Sequence, residues 1–193
     1  MFADVVVYSQ TVMTTDILGR SASFEGMRHI TTSMPGPVSP ATADCDEAVQ
    51  MINQAERIAI LAGIGCAGAR DELIAFAEVL QAPIVRTLKA KEVIDDNHPL
   101  CIGGLGLLGG RPAVRAMDQC DLLIMVGSDF PYHDFFPHGV RSIQIDIQPT
   151  QIGKRHPIDI GLADHAKPTL AKLAGRVDAK RSGAFLESMQ PVA

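Results

Sequence analysis

The sequence predicts an α/β fold, a parallel sheet covered by helices on both faces. Three observations predict it. Strand-length and helix-length runs alternate in the order β-α-β-(loop-α)-β-β-β-α. The strand runs are continuously apolar, as in "DLLIMVG" (121–127), which marks strands buried on both faces. The glycine-rich segments follow strand ends, where sheets of this kind bind ligands.

The elements follow in order. "DVVVY" (4–8) suits a short strand, but from Ser9 to Ala43 periodicity fades. "TTSMPGPVSPATA" (31–43) has the Pro/Ser/Thr content of a linker. Residues 1–43 therefore read as a tail, a linker or the remnant of a preceding domain. Asp44 with Glu47 fits a helix cap, and Ala48, Met51, Ile52 and Ala55 recur at helical spacing. "RIAILAG" (57–63) has the length and apolarity of a strand. "ARDELIAFAEVLQ" (69–81) is an amphipathic helix, with Leu73, Phe76, Ala77 and Leu80 inward and acids in its first turn. "APIVRTL" (82–88) is a second strand, and "HPLCIGGLGLLGGRP" (98–112) a glycine-rich loop. "PAVRAMDQC" (112–120) is a helix with Pro112 near its start. "DLLIMVGSD" (121–129), "SIQIDIQP" (142–149) and "PIDIGLAD" (157–164) are strands. "HAKPTLAKLAGRV" (165–177) is a helix that tolerates Pro168 only in its first turn. These elements give one ordered α/β domain that begins at Asp44. Residues 176–193 are a helical extension containing "GAFLESM" (183–189).

Composition narrows the function. The chain has 193 residues, enough for one sizeable core, and is 47% hydrophobic and 20% charged. A net charge of -5 with interspersed acids and bases leaves no basic stripe, so nucleic acid is not an expected partner. No apolar run is long enough for a transmembrane segment, and the start of the chain lacks a signal-peptide pattern, so a cytoplasmic location is expected. Cys45, Cys66, Cys101 and Cys120 form no C-x-x-C pair and read as reduced thiols. No residue spacing supports a metal site or a catalytic hydrolytic arrangement. The histidines and acids of "YHDFFPH" (132–138) read as a solvated loop.

"GIGCAG" (63–68) has the glycine spacing of a dinucleotide fingerprint between a strand and a helix. Its glycines, Gly63, Gly65 and Gly68, would bring backbone N–H groups to a diphosphate at the helix N-terminus. Cys66, in the same turn, is either a small packing residue or a thiol activated by the helix N-terminus. An NAD site also needs an acid at the end of the second strand, about twenty residues on. That place holds Arg86, Thr87, Lys89 and Lys91 instead, so either NADP or a dinucleotide in another orientation fits. Lys89 and Lys91 are point charges within reach of a phosphate.

Three further loops point to a ligand. "GGLGLLGG" (103–110) contains five glycines and suits a loop laid against a cofactor. "VGSDFPY" (126–132) offers the N–H groups of Gly127 and Ser128 and the ring of Phe130. Asp146, near the end of its strand, can accept hydrogen bonds from a ribose.

Taken together, "GIGCAGARDELIAFAEVLQAPIVRTLKAKE" (63–92), "GLGLLG" (104–109), "VGSDFPY" (126–132) and "IQIDIQPTQIGKRHPIDIGL" (143–162) resemble the central domain of thiamine-diphosphate-dependent enzymes. The resemblance runs over Asp44–Gly175 and is to the pyruvate oxidase and pyruvate:quinone dehydrogenase branch. It implies a Rossmann-like, six-stranded parallel sheet of the DHS-like NAD/FAD-binding type that holds FAD in extended form. By this resemblance Leu105, Gly106, Leu107 and Leu108 line the adenosine and diphosphate. Gly127, Ser128, Asp129, Phe130 and Pro131 contact the flavin half or its linker. Asp146 meets the adenine-side ribose, and the turn of Gly63, Gly65, Cys66 and Gly68 borders the cofactor.

The chain departs from the family at Ala90, where relatives carry glycine, and at Leu105, where a small hydroxyl residue is common. "ADHAK" (163–167) replaces a shorter turn, so Asp164 or His165 is expected to cap the next helix. The Gly-Asp-Gly…Asn motif that holds Mg²⁺ and thiamine diphosphate is not found, so these would bind outside this chain, on flanking domains of a homo-oligomeric enzyme (dimer or tetramer). No catalytic residue is assigned to the chain, which alone is expected to be inactive toward pyruvate. In the complete enzyme, located in the cytoplasm or peripheral to the membrane, electrons would pass to FAD and on to quinone or oxygen. Two alternatives stand beside this reading. One is a structural, assembly-directed domain with a vestigial nucleotide site, favoured by Ala90 and Leu105. The other is an NADP-binding oxidoreductase domain, suggested by Arg86.

Overall fold

The structure, a computed structural model, describes residues 42–180 and 182–190. The strand expected at 4–8 and nearly all of the expected linker lie outside them. Helix α1 spans Thr42–Gln54, so its start takes in the last two linker residues. Asp44 consequently sits in the first turn, where its charge favours the helix dipole, and is not the cap.

Six strands follow: β1 (Ile58–Ala62), β2 (Ile84–Arg86), β3 (Cys101–Gly104), β4 (Leu122–Val126), β5 (Arg141–Asp146) and β6 (Ile160–Ala163). They form one sheet in the order β3-β2-β1-β4-β5-β6, and every pairing is parallel. All residues of β1 and β4 are buried. Side chains alternate between the faces of a strand, so complete burial requires cover on both sides. Helices α2 (Arg70–Leu80), α3 (Arg111–Gln119), α4 (Ala166–Ala174) and α5 (Ala184–Met189) contribute that cover with α1. Helix α2 packs on α4, α3 on β3 and α5, and α1 on β6. The four inward residues expected of α2 are its four buried residues.

Strand β3 lies within the segment read as a glycine-rich loop. It is an edge strand of four residues with only Ile102 fully buried, and its register against β2 shifts between Ile84 and Arg86. Such a strand needs few apolar side chains, so its sequence carries little strand signal.

The C-terminal segment is tied to the domain. The Lys180 ammonium donates to the carbonyls of Ile52, Asn53 and Ala55 at 2.9, 3.1 and 2.7 Å, satisfying acceptors at the end of α1. Leu186 and Met189 of α5 are buried. No helix among the described residues is long and apolar enough to cross a membrane.

The strand order reverses direction between β1 and β4. In open parallel sheets this reversal leaves a crevice outside the carboxyl ends of the strands. The turns leaving all six strands meet at that edge.

Candidate functional site at the carboxyl edge of the sheet

Two clefts open along this edge. The first, of about 480 Å³, lies over β2, β3 and β4 and is lined by Arg86–Lys89, Lys91, Gly104–Leu108, Asp129–Tyr132 and Arg155. The second, of about 380 Å³, lies over β1, β4, β5 and β6 and includes Ile64, Gly65, Gly127, Asp146, Gln148 and His165. Both volumes fall in the usual range of roughly 300–1,000 Å³ for small-molecule sites.

Eleven of the expected site residues line these clefts. Leu105, Gly106, Leu107, Leu108, Phe130 and Pro131 line the first; Gly65, Gly127 and Asp146 line the second; Lys89 and Asp129 line both. Gly63, Cys66, Gly68 and Ser128 line neither. Ser128 is buried, and its hydroxyl accepts from the Phe130 N–H at 3.3 Å, fixing the start of the Phe130 loop.

The fingerprint turn works differently from its expected role. The Gly63 N–H donates to Val126 O at 2.8 Å and the Gly65 N–H to Gly127 O at 3.0 Å. The N–H groups of Cys66, Ala67 and Ala69 also find backbone acceptors within the turn. Asp71 and Glu72 place negative charge in the first turn of α2. These amides therefore hold the protein to itself, and the helix start disfavours an anion. The Gly127 N–H, expected to face a ligand, donates to Ile145 O at 2.8 Å.

The glycines are needed for another reason. A Cβ on Gly63 would lie 2.1 Å from Gly127 O, and one on Gly65 2.6 Å from Gly127 Cα. The turn after β1 thus packs backbone against backbone on the turn after β4, which draws the two loops to one edge.

Cys66 is fully buried, with its thiol 3.4 Å from Val126 O. Burial pushes the thiol pKa up to about 12, so the helix N-terminus does not activate it. All four cysteines are free. Neither Asp164 nor His165 caps α4 with its side chain; Asp164 Oδ1 instead accepts from the His165 N–H at 2.7 Å.

The loop after β3 has available amides. Among the described residues, no protein group accepts from the N–H of Gly106, Leu107 or Leu108. The adjacent wall is aromatic. Phe130 is nearly buried and makes edge-to-face contacts with Tyr132, Phe135 and Phe136 at centroid distances of 5.3, 6.2 and 5.6 Å. Behind it the His156 ring stacks on Phe136 at 4.9 Å, and its Nε2 lies 3.1 Å from Ser142 Oγ. Burial first, then His138, holds the His156 imidazole below its ordinary pKa, which favours the neutral ring.

In the second cleft Asp146 is nearly buried at the end of β5, and its Oδ1 accepts from the Gln148 N–H at 2.9 Å. Burial raises its carboxyl above the ordinary value. The Gln148 bond opposes that rise, and the Asp129 charge adds to it. A carboxylate in this setting is improved by any ligand hydroxyl that donates to it.

Arg86 is buried at the end of β2 and ion-paired with Asp96, which also accepts from Lys91 Nζ at 2.7 Å. The Arg86 Nη2 is thereby engaged, while its buried Nε has no protein partner among the described residues. Ala90 is fully buried and lines neither cleft, so its methyl group does not crowd the groove.

Sequence reasoning missed several lining residues. Tyr132 ends the motif "VGSDFPY" (126–132), and Leu88 lies between Arg86 and Lys89. Arg155, whose buried Nε has no protein partner, carries no local signal. Six large apolar residues are exposed among the described residues: Ile64, Leu88, Leu107, Leu108, Tyr132 and Ile147. Every one lines one of the two clefts.

The family profile described as "Thiamine pyrophosphate enzyme, central domain" matches residues 45–173. YdaP of Bacillus subtilis, whose name describes a thiamine pyrophosphate-containing protein, is 42% identical over 153 residues, which are 79% of this chain and 27% of that protein. The pyruvate oxidase of Lactiplantibacillus plantarum is 33% identical, over 69% of this chain and 23% of its own length. The acetolactate synthase large subunit of Corynebacterium glutamicum is 34% identical, over 77% of this chain and 25% of its own. A solved Mycobacterium smegmatis structure, described as a thiamin diphosphate-dependent enzyme, superposes with a TM-score of 0.63 at 27% identity. That match covers 79% of this chain and 31% of the other. The chain thus spans only about a quarter to a third of these relatives.

Proposed function

The chain belongs to the thiamine pyrophosphate enzyme central-domain family, and from that membership we propose that it holds FAD in extended form within a pyruvate-oxidising enzyme. The observation that carries the proposal is the two-part groove, which holds the Asp146 carboxylate over β5 and the rings of Phe130 and Tyr132 after β4. An adenine-containing flavin has the same two-part character.

The residues present fit such a group. The Asp146 carboxylate would accept from the adenine-side ribose, and the amides of Gly106, Leu107 and Leu108 would donate to oxygen atoms along the chain of the cofactor. Leu105, Leu107 and Leu108 share a cleft with Phe130 and Tyr132 and not with Asp146, so on this reading they move from the adenosine and diphosphate, where the resemblance puts them, to enclose the flavin ring. FAD, when bound, supplies the electron-accepting chemistry; the chain supplies position and exclusion of water. The pyruvate-oxidising branch rests on the motifs "GLGLLG" and "VGSDFPY", since acetolactate synthases share the domain at similar identity.

Thiamine diphosphate and Mg²⁺ belong, on this reading, to flanking domains of a homo-oligomeric cytoplasmic enzyme. Exposed Ile64, Leu88 and Ile147, which the flavin ring would not cover, support that arrangement. The domain expected over 44–175 is proposed to take in all of α1 from Thr42 and the tied segment through α5. Of the motives for the two alternatives, Ala90 lines neither cleft and the Arg86 Nη2 is engaged by Asp96, while Leu105 does line the first cleft and keeps the assembly reading as the second one.

Titration calorimetry tests the reading. The chain is expected to bind FAD saturably, and Asp146→Asn to weaken binding about tenfold, the effect of losing a charge-assisted hydrogen bond. A colourless protein that gives no heat with FAD would sink it.

A further inference from the structure

We propose that Lys89 and Asp129 form an ion-paired bar between the two clefts, and that a ligand bearing a diphosphate enters by taking Lys89 from Asp129. The proposal rests on the dinucleotide reading above and adds to it the pair that selects a bridging anion.

Lys89 and Asp129 are the two residues that line both clefts. Lys89 follows β2, and Asp129 follows β4. These strands flank β1 in the sheet, so the pair spans the carboxyl end of β1. Their side chains meet at 3.7 Å, Lys89 Nζ to Asp129 Oδ2. A ligand occupying both clefts must cross this contact.

Charge changes sign at the bar. On the first side Arg86, Lys89, Lys91 and Arg155 face one lining carboxylate, Asp129; Asp96 behind them offsets Arg86 and Lys91. On the second side Asp129, Asp146 and Asp164 face one lining lysine, Lys89. A hydroxyl-rich adenosine suits the acidic cleft, and an anion suits the boundary and the basic side. The diphosphate of a dinucleotide sits between its two halves, so it reaches the boundary when each half occupies a cleft.

The pair is easily exchanged. Its side chains are 69% and 51% exposed, its contact is longer than a hydrogen bond, and exposed ion pairs of this kind are weak. A doubly anionic group offers Lys89 a stronger partner than Asp129 does. Asp129 thus opposes the ligand twice, by holding Lys89 and by repelling the anion, while Lys89 favours it. A neutral ligand gains nothing from the exchange. The bar thereby discriminates by charge at the one point where the clefts join.

The test is calorimetry of FAD, ADP and adenosine with the 193-residue chain and its variants Asp129→Asn and Lys89→Met at low salt. Asp129→Asn is expected to tighten FAD and ADP about three- to tenfold, and Lys89→Met to weaken both by a similar factor. Adenosine affinity should change with neither, and added salt should shrink both effects. Asp129→Ser should repeat the sign if asparagine disturbs the loop. If Asp129→Asn leaves FAD and ADP unchanged or weakens them, the bar is overturned and the flavin reading stands. If FAD never binds while ADP tightens in Asp129→Asn, the flavin reading falls and the bar stands. If neither ligand binds any of the proteins, both fall.

Discussion

Gly127→Ala is expected to destabilise the domain by about 3 kcal/mol or more. Two costs add. Gly127 has φ +55°, in the left-handed region, where a Cβ costs roughly 1–2 kcal/mol. The new Cβ would also stand 2.5 Å from Gly65 Cα and 2.8 Å from Gly65 C. Backbone cannot swing aside as a side chain can, and forcing extra volume into a packed site costs roughly 1–3 kcal/mol. Gly68→Ala is the control. Gly68 also has positive φ, at +80°, but nothing lies within 4 Å of its added Cβ. Only the backbone cost remains there, about 1 kcal/mol. Urea unfolding of the two variants measures the difference. Equal losses would mean that the contact between the turns after β1 and β4 does not hold the groove together.

Phe130→Ala should separate the two halves of the groove. Its ring is nearly buried at the centre of a cluster with Tyr132, Phe135 and Phe136. Removing a buried phenyl group costs about 3–5 kcal/mol in a closed core. A loop can partly collapse, so a loss of about 3 kcal/mol is expected. The wall of the first cleft goes with it, so FAD affinity should fall more than tenfold, the loss of roughly 1.4 kcal/mol or more. ADP depends on the second cleft and the boundary, so its affinity should change little. Leu108→Ala is the stability control, because that side chain is 88% exposed. Equal weakening of FAD and ADP by Phe130→Ala would contradict the division of the groove.

The parts legible in the sequence were those whose signal is local. Strands β1 and β4 announce themselves by continuous apolar runs, β5 by the alternation of Ile143 and Ile145, and α2 by the spacing of Leu73, Phe76, Ala77 and Leu80. Strand β3 is short, glycine-containing and at the sheet edge, so its segment reads as a loop although it pairs with β2. The fingerprint glycines were legible as constrained positions but not for the right reason. The neighbour of Gly63 and Gly65 is Gly127, more than sixty residues away, and only the folded chain shows that contact. The same distance hides the role of Arg155 in the first cleft. The pairing of Arg86 with Asp96 is equally silent in sequence. Asp146 was visible because its place near the end of a strand is set by local sequence.

Mapping amide chemical shifts during titration with FAD, and separately with ADP, tests the central claim most directly. A single ligand is proposed to run along the carboxyl edge through both clefts. FAD should therefore shift Gly65, Asp146 and Gln148 over β1 and β5, and also Gly106–Leu108 and Phe130 over β3 and β4. ADP should shift the first group and the boundary at Lys89 and Asp129 while sparing Phe130. FAD shifts confined to one cleft, or spread over the outer faces of α2 and α4, would contradict it.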